Sequence, residues 1–132
     1  MSRNHLAATV DAFNLRRYQE AVRHSAEGLA VAQGRDEAFW MGLNDACEGF
    51  ALIEEQKWAP AEQKLVSAMQ TLRNFGFRYN NFEITAALAG IRKAVEEIKF
   101  VCSQEKRVFD VTLLPHFRLG DPRESLMAER AS

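Results

Sequence analysis

The chain has 132 residues, 47% of them hydrophobic and 27% charged, with 17 basic against 18 acidic side chains and a formal net charge of −1. That size suits one domain whose core needs no metal or disulfide staple. Charges of both signs are interleaved, which excludes a phosphate-seeking surface and argues against nucleic acid as a partner.

The opening residues, Met1 to His5, lack an apolar signal core, and no run reaches the roughly 18 apolar residues of a spanning helix. No membrane association is expected, and a cytoplasmic location is. Leu6, Val10 and Phe13 then recur at helical spacing, with Asn4 placed to cap, and predict a first helix from about Asn4 or His5 to Phe13. After a break at Asn14 to Arg17, Tyr18, Val22, Ser25, Ala26 and Leu29 form the stripe of a second helix, ending near Gln33-Gly34. Asp36 can cap a third helix carrying Phe39, Trp40, Leu43, Ala46, Cys47, Phe50, Ala51 and Ile53. That arc is too broad for one wet face and marks the central element.

The polar stretch Glu54-Glu55-Gln56-Lys57 precedes a fourth helix with Pro60 in its first turn, where a missing N–H costs little. Trp58, Ala61, Leu65, Ala68, Leu72 and Phe75 face inward, and Gly76 closes it. A fifth helix is predicted from Asn80 or Asn81 to about Cys102. Its seam of Ile84, Leu88, Ile91, Val95, Ile98 and Cys102 packs into its own bundle and would give a dimer only if exposed. Beyond it Val108 to Thr112 is β-like, Pro115 and Pro122 break helix, and the end is polar. The expected organisation is an all-α, five-helix bundle over residues 1–103, built of antiparallel hairpins resembling tetratricopeptide repeats. Residues 104–132 form an extended tail that partly packs back.

An internal repeat supports the hairpins. Tyr18, Ala21, Ser25 and Gly28 are echoed forty residues later by Trp58, Ala61, Leu65 and Ala68, each aromatic preceded by a base, Arg17 or Lys57. An aromatic at the turn followed by small residues lets one helix approach its neighbour closely, which is tetratricopeptide logic.

Other positions carry a family likeness: Phe13-Asn14 with Tyr18, Glu20 and Ala21; Phe39, Gly42 and Leu43; Ala61, Leu65, Ala68 and Leu72; and Tyr79 with Glu83-Ile84. Through these, the segment from Phe13 to about Val101 resembles the small helical family catalogued as domain of unknown function 309. The resemblance implies a compact helical bundle. Members typically place on their second helix a histidine, a glutamate four residues on and an aromatic three beyond. Here those places hold Val22, Ala26 and Leu29, which neither bind a metal nor move a proton. His24 and Glu27 lie on another side of that helix and do not take over the role.

Motifs of chemistry are sparse. Cys47 and Cys102 lack a CxxC or a histidine pair and read as reduced core thiols. His5, His24 and His116 are scattered, so no metal and no cofactor are expected, and no catalytic residue is assigned, since no GxSxG, P-loop or GxGxxG string occurs. The string Arg73-Asn74-Phe75-Gly76-Phe77-Arg78-Tyr79 has the order of an RNA-recognition motif. That motif works only on a sheet, and here Phe75, Phe77 and Phe82 are expected to plug the bundle end, with Arg78 in solvent.

Two functional expectations follow. The first is a helical scaffold for a protein or peptide partner, or for itself as a homodimer, anchored by Trp40, Trp58, Phe77 and Tyr79. The alternative is a small-molecule or enzymatic site inside the bundle, with Glu20, His24 and Glu48 as its polar contributors.

Overall fold

The computed structural model describes residues 2–103 and 108–120. Five helices account for most of it: α1 (Ser2–Asn14), α2 (Tyr18–Val31), α3 (Arg35–Glu54), α4 (Trp58–Leu72) and α5 (Ile84–Cys102). A 3-10 turn (Arg73–Phe75) and a hairpin of two short strands, β1 (Arg78–Tyr79) and β2 (Phe82–Glu83), join α4 to α5. The all-α bundle is therefore as expected. No helix among the described residues is long and apolar enough to cross a membrane.

The helices pack closely because glycine and alanine stand where ridges meet. Helix α3 is the central element, with Phe39, Trp40, Leu43, Ala46, Cys47 and Phe50 all buried. A Cβ on Gly28 of α2 would lie 2.6 Å from the Trp40 ring, and one on Gly49 of α3 would lie 2.6 Å from Leu65 of α4. The aromatic end of the core is a chain of edge-on contacts in which Phe39 meets Trp40, Phe75 and Phe82.

The forty-residue repeat is visible in the backbone. After α1, the Arg16 N–H donates to the Phe13 carbonyl at 3.0 Å and the Arg17 N–H to the Ala12 carbonyl at 2.9 Å. After α3, Gln56 and Lys57 donate in the same pattern to Ile53 and Leu52, both at 2.9 Å. Each is a Schellman turn. Its left-handed position is filled by a non-glycine residue, Arg16 at φ +63° and Gln56 at φ +60°. Ala21, Ser25 and Gly28 of α2 are buried, as are Ala61, Leu65 and Ala68 of α4.

Several details differ from expectation. Helix α1 begins at Ser2, so Asn4 stands inside its first turn, and α2 ends at Val31. The residue ahead of α3 is Gly34, and Asp36 within its first turn instead accepts a hydrogen bond from the Tyr79 hydroxyl. Asn80 and Asn81 do not start α5. They form the two-residue turn of the hairpin at φ +49° and +66°, the left-handed conformation that asparagine tolerates. Phe75 and Phe82 are buried as plugs, but Phe77 is 83% exposed, and Cys102 is exposed whereas Cys47 is buried. The α5 seam turns inward through Ile84, Ile91, Val95 and Ile98, with Leu88 half-buried and Cys102 exposed at its end.

The β-like stretch is a 3-10 turn (Val111–Leu113), part of a strap that runs back along α5. The Asp110 N–H donates to the buried Glu97 carboxylate at 2.8 Å, and Pro115 seats over Gly90, where a Cβ would come within 2.5 Å. Phe117 stacks on Phe13 with centroids 3.7 Å apart, while Asn14 exchanges two hydrogen bonds with the Phe117 backbone at 2.8 and 3.0 Å. Leu119 then bridges Phe82. Pro122 and the polar end lie outside the described residues.

Two stability outcomes follow. Gly28→Ala should destabilise by about 1–3 kcal/mol through overpacking against Trp40. Gln56→Gly should stabilise by about 1 kcal/mol by relieving the left-handed backbone. Urea unfolding of the two variants beside the parent measures both, and a neutral result at Gly28 would remove the close-approach argument.

Candidate functional site

The two Schellman turns leave a half-open cleft of about 590 Å³ between them and the strap. The first turn contributes Arg16 and Tyr18, and the second contributes Ile53, Glu54, Gln56 and Trp58. Val108, Phe109, Val111 and Leu114 of the strap close the remaining side. Equivalent repeat positions therefore face one space, Arg16 with Gln56 and Tyr18 with Trp58. The Trp58 and Phe109 rings lie nearly parallel, 9° apart with centroids at 5.8 Å. Val108 and Val111 are 78% and 65% exposed, so the apolar lining continues onto the outer surface.

Polar groups in the cleft are few. Arg16 Nη1 donates to the Tyr18 hydroxyl at 3.1 Å. Burial raises the Tyr18 pKa above its ordinary value, opposed by the hydrogen bond and charge of Arg16 and reinforced by the charge of Glu54. Tyr18 thus stays a neutral hydroxyl at physiological pH. The cleft offers hydrogen-bond donors, one carboxylate and aromatic faces, a set that holds a ligand in place. Among the described residues no three histidine, cysteine or acidic side chains gather in a way that could hold a metal.

The four aromatic anchors are not brought together. Trp40 is 1% exposed and packs over Gly28, so it has no face to offer, and its indole N–H has no hydrogen-bond partner among the described residues. Trp58 lines the cleft. Phe77 and Tyr79 belong to the hairpin region, where Tyr79 is half-buried beneath Arg35, whose guanidinium also sits 4.7 Å from the Phe75 centroid.

The polar trio is dispersed as well. Glu20 is exposed and 4.0 Å from Arg17, His24 is 4.0 Å from Glu27, and Glu48 pairs with Lys64 at 2.8 Å. None of the three lines the cleft. Val22 and Leu29 of α2 are partly buried, and Ala26 is exposed.

Sequence reasoning missed Arg16, Glu54 and the part that the packed-back tail plays in lining the cleft. The repeat could have found the first two, since it sets both turns at the same end of the hairpins. Comparison of the chain with known proteins found no matching family model, curated protein or solved structure.

Inside the core, the Asn44 amide donates to Ser25 Oγ at 2.9 Å, and Ser25 donates to the Val22 carbonyl at 3.0 Å. Beside them the Cys47 thiol is pushed up to about 12 from 9.0, first by burial, with the Ser25 hydrogen bond opposing. A raised folded pKa means that stability is intact below pH 9 and is lost as pH rises through about 12, because only the unfolded chain ionises in that window. By pH 11 the loss should be on the order of 3 kcal/mol. Cys47→Ala should flatten most of that slope in urea unfolding at stepped pH. A disulfide reagent should titrate only Cys102 in the native protein and both thiols in denaturant.

Proposed function

We propose that the protein is a binding scaffold, its two hairpins acting like tetratricopeptide repeats that present the turn-end cleft to a peptide segment of a protein partner. The observation that carries this reading is the cleft itself. A space of about 590 Å³ with an apolar floor and exposed valines at its mouth has the size and lining of a ligand site, roughly 300–1,000 Å³ and mainly hydrophobic. Trp58 stands where an anchoring aromatic would act, with Phe109 stacked beside it. A cytoplasmic location is part of the proposal, supported by two free cysteines, one of them exposed, which suit a reducing compartment.

A random linear peptide library selected against the intact protein tests the reading. Enriched peptides should carry an apolar anchor. Their binding should weaken by about 2 kcal/mol, roughly 30-fold, in Trp58→Ala, fall likewise in Val111→Asp, and remain unchanged in Phe77→Ser, which lies outside the cleft. Peptides that bind the two cleft variants as well as the parent would overturn it.

A further inference from the structure

The charges on the cleft rim say what kind of peptide fits. Most charged side chains of the two turns are already paired: Arg17 lies 4.0 Å from Glu20, and Lys57 lies 3.4 Å from Glu55. Arg16 and Glu54 differ. Among the described residues Arg16 has one hydrogen bond, to the Tyr18 hydroxyl, and neither Arg16 nor Glu54 joins an ion pair. Both line the cleft, and both act on the Tyr18 hydroxyl with opposite sign, so they flank the same floor without neutralising each other. A guanidinium with one donor engaged keeps others for a carboxylate, and a carboxylate accepts from an ammonium or guanidinium.

Backbone conformation adds to this. Of the four non-glycine residues at positive φ among the described residues, Asn80 and Asn81 are explained by their two-residue hairpin turn. The other two, Arg16 and Gln56, sit at equivalent places of the two turns, and both line the cleft. Glycine would fit both positions with less strain, but glycine would remove the side chains from the rim. Strain of this kind collects where a side chain is needed for more than folding.

We propose that the cleft is charge-selective: it takes a peptide whose apolar anchor lies over Trp58 and Phe109 and is flanked by an acidic side chain, which pairs with Arg16, and a basic side chain, which pairs with Glu54. Gln56 supplies amide hydrogen bonds to the peptide backbone between them. The inference rests on the binding-scaffold reading and narrows it from any apolar segment to one with a fixed order of charges.

The test is a charge-swapped rim, Arg16→Glu with Glu54→Lys, selected against the same random linear peptide library in parallel with the parent. Peptides enriched on the parent should share one order of acidic and basic residues about the anchor, and those enriched on the swapped protein should show the reverse order. A parent-selected peptide should bind the swapped rim about tenfold more weakly, and its charge-reversed counterpart should recover the loss. Higher salt should shrink the difference. Circular dichroism and urea unfolding establish that the swapped protein is folded. The neutral pair Arg16→Gln and Glu54→Gln, tested singly, should each abolish selection for one charge only.

Apolar-anchored peptides that bind at the cleft with no charge order, or with the same order on both proteins, would overturn the charge inference and leave the scaffold intact. The absence of any peptide sensitive to Trp58→Ala would overturn both.

Discussion

Close approach of helices at positions without side chains is the constraint on which the fold depends. Trp40 is a large plate buried in the middle of α3, and it has room only because α2 presents Gly28 beneath it. Gly42 and Gly49 play the same part against Leu72 and Leu65 of α4. With α3 wedged between its neighbours at these points, the hairpins are held side by side and their turns emerge at the same end. The cleft follows from that placement.

The strap completes what the helices leave open. α1, α4 and the hairpin alone would leave Phe13, Trp58 and Phe82 short of aromatic neighbours, and Phe117 and Phe109 supply them. Its polar anchors are specific: Asn14 satisfies both backbone groups of Phe117, and Glu97, an acid buried to 2% exposure, accepts the N–H of Asp110. Burying a carboxylate costs free energy unless it is hydrogen-bonded, and the Asp110 N–H of the strap helps to offset that cost at Glu97. The strap also forms one wall of the cleft, which links the packing of α5 to the candidate site.

Polarity divides the molecule in a similar way. Two buried hydroxyls of the core, those of Thr9 and Ser25, are spent on nearby carbonyls, of His5 and Val22. Ion pairs occupy the outer faces, as with Lys64 between Glu48 and Asp45. Arg16 and Glu54 fall in neither group, standing at the edge of an apolar floor, and this sets the turn end apart from the rest of the surface.

Helical periodicity, the breaks between stripes and the forty-residue echo by themselves determined the five helices, the central place of α3 and the equivalence of the two turns, because these depend on residue spacing along a local repeat. Asn80-Asn81 fits a helix start as well as a tight turn, because asparagine serves both, and only the pairing of Tyr79 with Phe82 chooses between them. Tertiary structure also decided that Trp40 is core while Trp58 is accessible, since an indole at helical spacing reads the same whether glycine or solvent lies opposite. The cleft was invisible in the sequence for the same reason. Its walls come from segments some forty and fifty residues apart, and only folding brings Arg16, Glu54 and Val111 around one space.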